Sequence, residues 1–474
     1  MTTIPNLPES VSHSALHEKA VKPDQSSLRD IPIDGARPLR VIVIGAGFSG
    51  INCGIRIPQR LRHVNLTVYE KNADVGGTCV PLEGKTIGVI DAGSSAMQII
   101  PQLQALPSAQ LKGFIRSKTC ILPPFGAQSM EKLGMDEVNI PQEQQDRFER
   151  HQEEYHAFRK RIEQDGNGVH SITHKSSGAQ NHLRRPCQLT MTDALAGRPD
   201  IAEAVIPRFA VGCRRLTPGI GFLEALNMPN VEFVGTHIAK VVPSGIVLED
   251  QRNIQLDVLV CATGFNAAHA PPFPVKGSQG RDMADSFKPY PKSYLSMTMH
   301  GFPNYFMILG PNSLIGTGSL SMRLESQTDY IVKCIRKMQR DNIASMDVKA
   351  DRVEQFSQYI DKYFKQTVCL DGCTSWYLNE AGKGSRVIGL WPGSCLHAME
   401  AYRAPRWEDF DFVHSKDEDG RVFKELSWLG NSYTHAQRFG DGDLAWYLET
   451  EFLDVPSEPL PEKKKANTLR TFCY

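Results

Sequence analysis

The run VIVIGAGFSG, ending at Gly50, constrains this chain more than any other stretch. An apolar strand runs into Gly45-x-Gly47-x-x-Gly50. The first glycine permits a tight turn, the second lets backbone approach a pyrophosphate, and the third lets the next helix pack close to its strand. The start of that helix then turns unpaired N–H groups and a positive dipole end toward the phosphates. The following strand, NLTVYE, ends at Glu70, 20 residues after Gly50. An acid there is placed to hydrogen-bond a ribose 2′-hydroxyl and disfavours a 2′-phosphate, so this site suits FAD or NAD rather than NADP.

A second unit follows closely. In GKTIGVIDAGSSA a strand enters Asp91-Ala-Gly93-Ser94-Ser95-Ala96, which matches G-x-G-x-x-A except that Asp91 replaces the first glycine. A carboxylate there is unfavourable beside a pyrophosphate. Twenty residues after Ala96 stands Arg116, with Lys118 nearby. A dinucleotide site for a 2′-phosphate carries its cation at that distance. A βαβ unit that binds nothing is the structural alternative.

The rest of the sequence sets the frame. The 474 residues are 41% hydrophobic and 22% charged with zero formal net charge, an ordinary globular composition. That balance argues against a nucleic-acid partner or a polybasic membrane anchor. The eleven cysteines include no CxxC pair and no zinc-spaced His/Cys cluster, so neither a metal nor a disulfide framework is expected. Reduced thiols, the polar first residues and the lack of any run near the ~18 apolar residues of a membrane span point to a soluble, cytoplasmic protein. Oligomeric state is not legible.

Alternating strand and helix signals from residue 39 predict an α/β fold of two Rossmann-like dinucleotide-binding units with a helical insert at about 141–205. Residues 1–38 read as a mobile tail. Further strands are expected in LDVLVCATGF and NYFMILGPN, and a helix from about Glu325 to Arg340.

The run YEKNADVGGT, with Gly76, Gly77 and Thr78, resembles the FAD-binding fingerprint of flavin-dependent monooxygenases. The resemblance broadens over FIRSKTCILPPFG, VGCRRLTPGIGFLEAL, DVLVCATGF, GFPNYFMILGPNS and LWPGSCLHAMEAYRAPRWEDF, in family order from about residue 40 to 412. The chain is similar to fungal FAD-dependent monooxygenases of the Baeyer–Villiger and flavin-monooxygenase superfamily, particularly those of aflatoxin- and sterigmatocystin-type polyketide pathways. This implies FAD and NADPH as cofactors, O2 and a polyketide ketone as substrates, and oxygen insertion beside the carbonyl or hydroxylation as the reaction. It implies an FAD domain from 39–83 plus 256–412, truncated after Gly77, an NADP domain from 84–255, and an extension over 413–474. Ala262-Thr263-Gly264 would mark the crossing between the two cofactor regions, and Asn312 a segment passing the flavin. Arg214 is expected near the NADP phosphate and Arg215 near the flavin as the catalytic cation. Trp376 and Tyr377 are candidates for the substrate pocket or for core packing.

The chain also departs from that family. Relatives carry a long segment between the glycine pair and the second unit, where here only Thr78 to Glu83 intervene. The family tryptophan after GGT is Cys79, and no F-x-G-x-x-x-H run occurs. Two readings follow: a monooxygenase, or a degenerate dinucleotide-binding remnant without oxygenation. An NAD dehydrogenase is the weaker third, because nothing resembles its catalytic His or Tyr-x-x-x-Lys arrangement.

Overall fold

The computed structural model describes residues 30–72, 82–122, 130, 140–264, 270–416 and 425–448. Gly76, Gly77 and Thr78 therefore lie outside the described residues. The first unit consists of β1 (Leu39–Ile44), α1 (Phe48–Arg60) and β2 (Val64–Tyr69), the strands pairing in parallel with Ile44 opposite Tyr69. The second opens with β3 (Thr86–Ile90), α2 (Ser94–Gln104) and β4 (Gln110–Phe114). Its helices α3 (Gln142–Arg150), α4 (Gln152–Gly168), α5 (Gly178–Ala194) and α6 (Pro199–Val205) fill the stretch with charged, helix-period sequence. The chain returns through β5 (Val231–Val234), a hairpin with a third antiparallel strand over 238–255, and β6 (Val258–Cys261).

The second unit is a complete parallel sheet, in the order β6-β3-β4-β5. β3 is buried along Ile87–Ile90, as a strand covered on both faces must be. Ile87, Val89, Ile100, Leu111, Met191, Leu195, Phe222 and Leu226 form its core, so α5 of the insert is built into the domain.

The first unit is much poorer. Among the described residues its sheet has two strands, and the face bearing Ile42, Ile44 and Val68 is exposed. So is the side of α1 bearing Phe48, Ile51 and Ile55, with Phe48 87% accessible. Parallel sheets are ordinarily covered on both faces, and an isolated strand pair is marginal in water. The unit is held through the other side of α1. Cys53, Ile57 and Leu61 pack into a core with Tyr330, Ile331, Cys334 and Ile335 of α7 (Leu320–Arg340).

Three expectations change here. Asp30 to Pro38 are held in place: Tyr433 accepts from the Ile33 amide at 2.9 Å, Asp34 from the His435 amide at 2.6 Å, and Asp30 pairs with Arg438. Distant residues 431–438 supply these partners, which local composition does not reveal. The strand expected in NYFMILGPN does not form. Asn304, Leu309 and Asn312 have positive φ, and the amides of Asn304 and Met307 donate to Met346 and Met297 rather than to a sheet. The helix expected from Glu325 begins earlier, at Leu320, capped by Ser319.

Arg323, in the first turn of α7, has no accessible surface. It donates to the Tyr402 hydroxyl at 2.8 Å and stacks on Trp391 and Tyr402. Its Nε and Nη1 find no partner among the described residues. A buried guanidinium without a carboxylate carries a desolvation cost that stacking offsets only in part. Arg323→Met should raise stability by about 1–3 kcal/mol, because Tyr402 keeps its bond to the Leu295 carbonyl. A lower melting temperature for the variant would show that stacking outweighs desolvation.

Candidate functional site

Both glycine turns leave the C-terminal ends of parallel strands, where α/β sheets bind ligands. Their backbones nearly superimpose in dihedral space. Gly45 has φ +100° and Asp91 has φ +88°. Gly47 caps α1 at φ −75°, ψ −171°, and Gly93 caps α2 at φ −76°, ψ 178°. The second turn thus keeps the shape of the first with an aspartate in a conformation that favours glycine. A Cβ built on Gly45, Gly47 or Gly93 would meet no atom within 4 Å, so open space lies over each turn. On Gly50 it would stand 1.9 Å from the Gly45 carbonyl oxygen. The third glycine is required by helix–strand contact, whereas its counterpart Ala96 is fully buried with its methyl accommodated.

A carboxylate accepts the amide of the middle alanine in each turn. Glu70 Oε2 accepts from Ala46 N at 2.8 Å, and Oε1 from Asn72 N and Nδ2 at 3.0 Å. These amide bonds, Ala46 first, hold the Glu70 carboxyl below the usual carboxylate range. A carboxylate has about four acceptor sites, so this binding leaves capacity for a ribose hydroxyl. In the second turn Asp91 Oδ1 accepts from Ala92 N at 2.8 Å. Here the charge sits on the turn itself. The first turn fits the phosphates of a dinucleotide; the second fits them in backbone shape but not in charge.

Around the second turn the sheet register gathers the other candidates. Cys261 pairs with Ile90, so Ala262-Thr263-Gly264 leaves the sheet beside Asp91. Phe114 pairs with Ile90 on the other side, sending Arg116 from the same edge, exposed. Ser94 shares a 2.6 Å hydrogen bond with Thr217, a contact that sequence reasoning missed. Ser95 is exposed in the first turn of α2. Lys118 Nζ donates to the Glu203 carbonyl, and the Lys118 carbonyl accepts from Arg214 Nη1 at 2.9 Å. Arg214 lies over the Phe209 ring with Nε unpaired among the described residues. Burial lowers its pKa, and the Asp91 charge opposes that shift. Arg214 therefore partly compensates the aspartate in the turn.

Arg215 is exposed and close enough to Tyr377 to act on it electrostatically. The link between these segments is covalent: Cys213 and Cys373 form a disulfide across 160 residues. This overturns the expectation of unpaired thiols and weakens the argument for a reducing compartment. Spacing did not show it because the pairing is made by folding, not by a motif. Trp376 is partly exposed at the same place, and Tyr377 is buried against it at 4.7 Å. Asn312 is buried, and its side-chain amide donates to the carbonyls of Val387 and Leu390. Those bonds give Asn312 a structural role in joining the 310–313 turn to 387–390. Among the described residues no group of three or more His, Cys, Asp or Glu could hold a metal ion, and no helix is long and apolar enough to cross a membrane.

Two glycine turns on parallel strands with helices behind them define a Rossmann-like dinucleotide-binding α/β protein. Residues 43–105 match the family model for an NAD(P)-binding Rossmann-like domain. The chain is similar to FAD-binding monooxygenases: it is 33% identical to FAD-binding monooxygenase tazF of Aspergillus terreus, over 77% of this chain and 64% of that protein. It is 30% identical to FAD-binding monooxygenase moxY of Dothistroma septosporum, over 78% of this chain and 57% of that protein. The chain thus spans less than two thirds of the length of these relatives. The solved structure of cyclohexanone monooxygenase from Rhodococcus sp. Phi1 bound to NADP+ shares the fold, with a TM-score of 0.55 at 23% identity, over 71% of this chain and 68% of that one.

Proposed function

We propose that this chain is an FAD- and NADPH-dependent monooxygenase that adds one oxygen atom of O2 to a small organic ketone, by Baeyer–Villiger insertion, or hydroxylates a polyketide intermediate. The observation that carries this reading is the pair of turns with matching backbone, one with an acid at the end of its next strand and one with cations there. Gly45, Gly47 and Glu70 would hold FAD, with Gly76, Gly77 and Thr78 continuing that site. Gly93, Ser94, Ser95, Ala96, Arg116, Lys118 and Arg214 would hold NADPH. Bound FAD, reduced by NADPH, supplies the activation of O2. In this reading 39–83 with 256–412 serves FAD and 84–255 serves NADPH.

Arg215 is the catalytic candidate. A guanidinium stays charged at any working pH and stabilises negative charge developing on oxygen. The partly exposed Trp376, backed by the buried Tyr377, would form an apolar wall for a ketone. Arg215→Ala should lower oxygenation at least ~100-fold, the scale of losing one charge-stabilising donor, while leaving NADP+ affinity unchanged. Arg214→Ala should do the reverse, weakening NADP+ without abolishing turnover. An unaffected oxygenation rate in Arg215→Ala would remove it from the mechanism.

A second reading, a nucleotide-binding remnant without oxygenation, is favoured by the two-stranded first sheet and by Asp91 in the second turn. Purification separates the two. Yellow protein that consumes NADPH and O2 with a ketone supports the enzyme. Yellow protein without turnover supports the remnant, and colourless protein that stays so after incubation with FAD defeats the flavin assignment.

A further inference from the structure

The loop after β4 and helix α5 together carry a thiol pair that the proposed reaction does not use. Cys120 and Cys187 are 67 residues apart in sequence, yet their sulfurs lie 2.8 Å apart. Both side chains are buried. A disulfide bond is about 2.05 Å long, so the sulfurs need roughly 0.75 Å of further approach to bond. Apolar neighbours Ile121, Met191 and Leu195 share their core, which keeps both cysteines in place.

We infer that Cys120 and Cys187 are a dithiol site that closes to a disulfide on oxidation by a hydroperoxide, tying the loop after β4 to α5. Either sulfur can donate in this contact, and the Cys187 thiol also donates to the Ile121 carbonyl at 3.2 Å. Either cysteine can therefore be oxidised first with the same balance; for Cys187 the reaction runs through its thiolate. Its thiolate attacks the outer peroxide oxygen, the O–O bond breaks, and the product is a sulfenic acid plus an alcohol, or water from hydrogen peroxide. Cys120 sulfur then attacks the Cys187 sulfur. The S–S bond forms, the S–O bond breaks, and the leaving hydroxide takes the Cys120 proton as water. Two thiols lose two electrons and one peroxide gains two.

The position gives closure a structural effect. Cys120 follows Lys118 and Thr119, which contact Glu203 and Val205 of α6, while Arg214 binds the Lys118 carbonyl. A bond to Cys187 would fix this cation-bearing loop to α5 as well as to α6.

The test is thiol mapping on the whole protein. One sample is treated with dithiothreitol and one with a few equivalents of hydrogen peroxide. Both are quenched in acid, then alkylated with iodoacetamide in denaturant at mildly alkaline pH, where the exposed thiols ionise, digested and read by mass spectrometry. The expected result is a linked peptide joining Cys120 to Cys187 after peroxide, lighter by both thiol hydrogens, and full alkylation of both cysteines after dithiothreitol. Full alkylation of both after peroxide would overturn the inference, as would linkage of Cys120 to a different cysteine. Cys187→Ser should abolish the linked peptide and leave Cys120 alkylated. If that variant does not fold, the result on the unaltered protein decides alone.

Discussion

Gly50→Ala should collapse the first nucleotide turn. Its new methyl would stand 1.9 Å from the Gly45 carbonyl oxygen, a backbone atom that cannot rotate away. Relief requires α1 to lift from β1, which strips Cys53, Ile57 and Leu61 from their packing against α7. The cost should be on the order of 3–5 kcal/mol, the range of severe core overpacking and lost burial. A fall in urea midpoint and loss of FAD retention are the expected measurements. Gly54→Ala on the same helix meets open space and should leave both nearly unchanged. If Gly50→Ala matched the Gly54 variant, the close helix–strand contact would not exist.

The opposite sign is expected at Asp91. Its carboxylate engages the amide of Ala92 at the turn where the backbone would meet a pyrophosphate, and its φ of +88° is strained for any residue but glycine. Asp91→Gly removes both penalties. Relief of the left-handed strain should stabilise the protein by about 1 kcal/mol. Removal of the like charge should tighten NADP+ binding by roughly 10- to 100-fold, or about 1.4–2.7 kcal/mol. Calorimetric titration of NADP+ into the two proteins reads the second effect and thermal melting reads the first. Because the Asp91 charge acts on Arg214, the double variant Asp91→Gly with Arg214→Ala measures how much of the gain depends on freeing that guanidinium. Equal NADP+ affinity in the parent and Asp91→Gly would mean that Arg214 already cancels the charge.

Several parts of the site were legible because their chemistry is local. The strand-to-glycine turns at Gly45 and Asp91, the helices they open, and the return strands ending near Glu70 and Arg116 follow from periodicity and spacing within thirty residues. Glu70 was found through its distance from Gly50. Its bond to Ala46 was not, because side-chain direction depends on how β2 lies beside β1. Asn312 matched a flavin-facing segment by resemblance, yet its amide is committed to carbonyls of Val387 and Leu390, more than seventy residues away.

The absence of a long segment between Gly77 and Gly84 was also readable as a count of residues. Its consequence was not: Ile42, Ile44, Phe48 and Ile51 stand exposed because no further strand or helix covers them among the described residues. Burial is a property of neighbours, and neighbours come from the whole chain.

Amino-acid order alone thus specifies two dinucleotide turns, the acid that follows the first and the misfit at Asp91, since each rests on backbone conformation within a few residues. Folding decides the rest: the Cys213–Cys373 link that ties Arg215 to Trp376 and Tyr377, the compensation of Asp91 by Arg214, and the seating of Asp30–Asp34 on residues 431–438. Each joins groups more than a hundred residues apart. Such contacts exist only once hydrophobic burial has brought the segments together, and no local pattern encodes them.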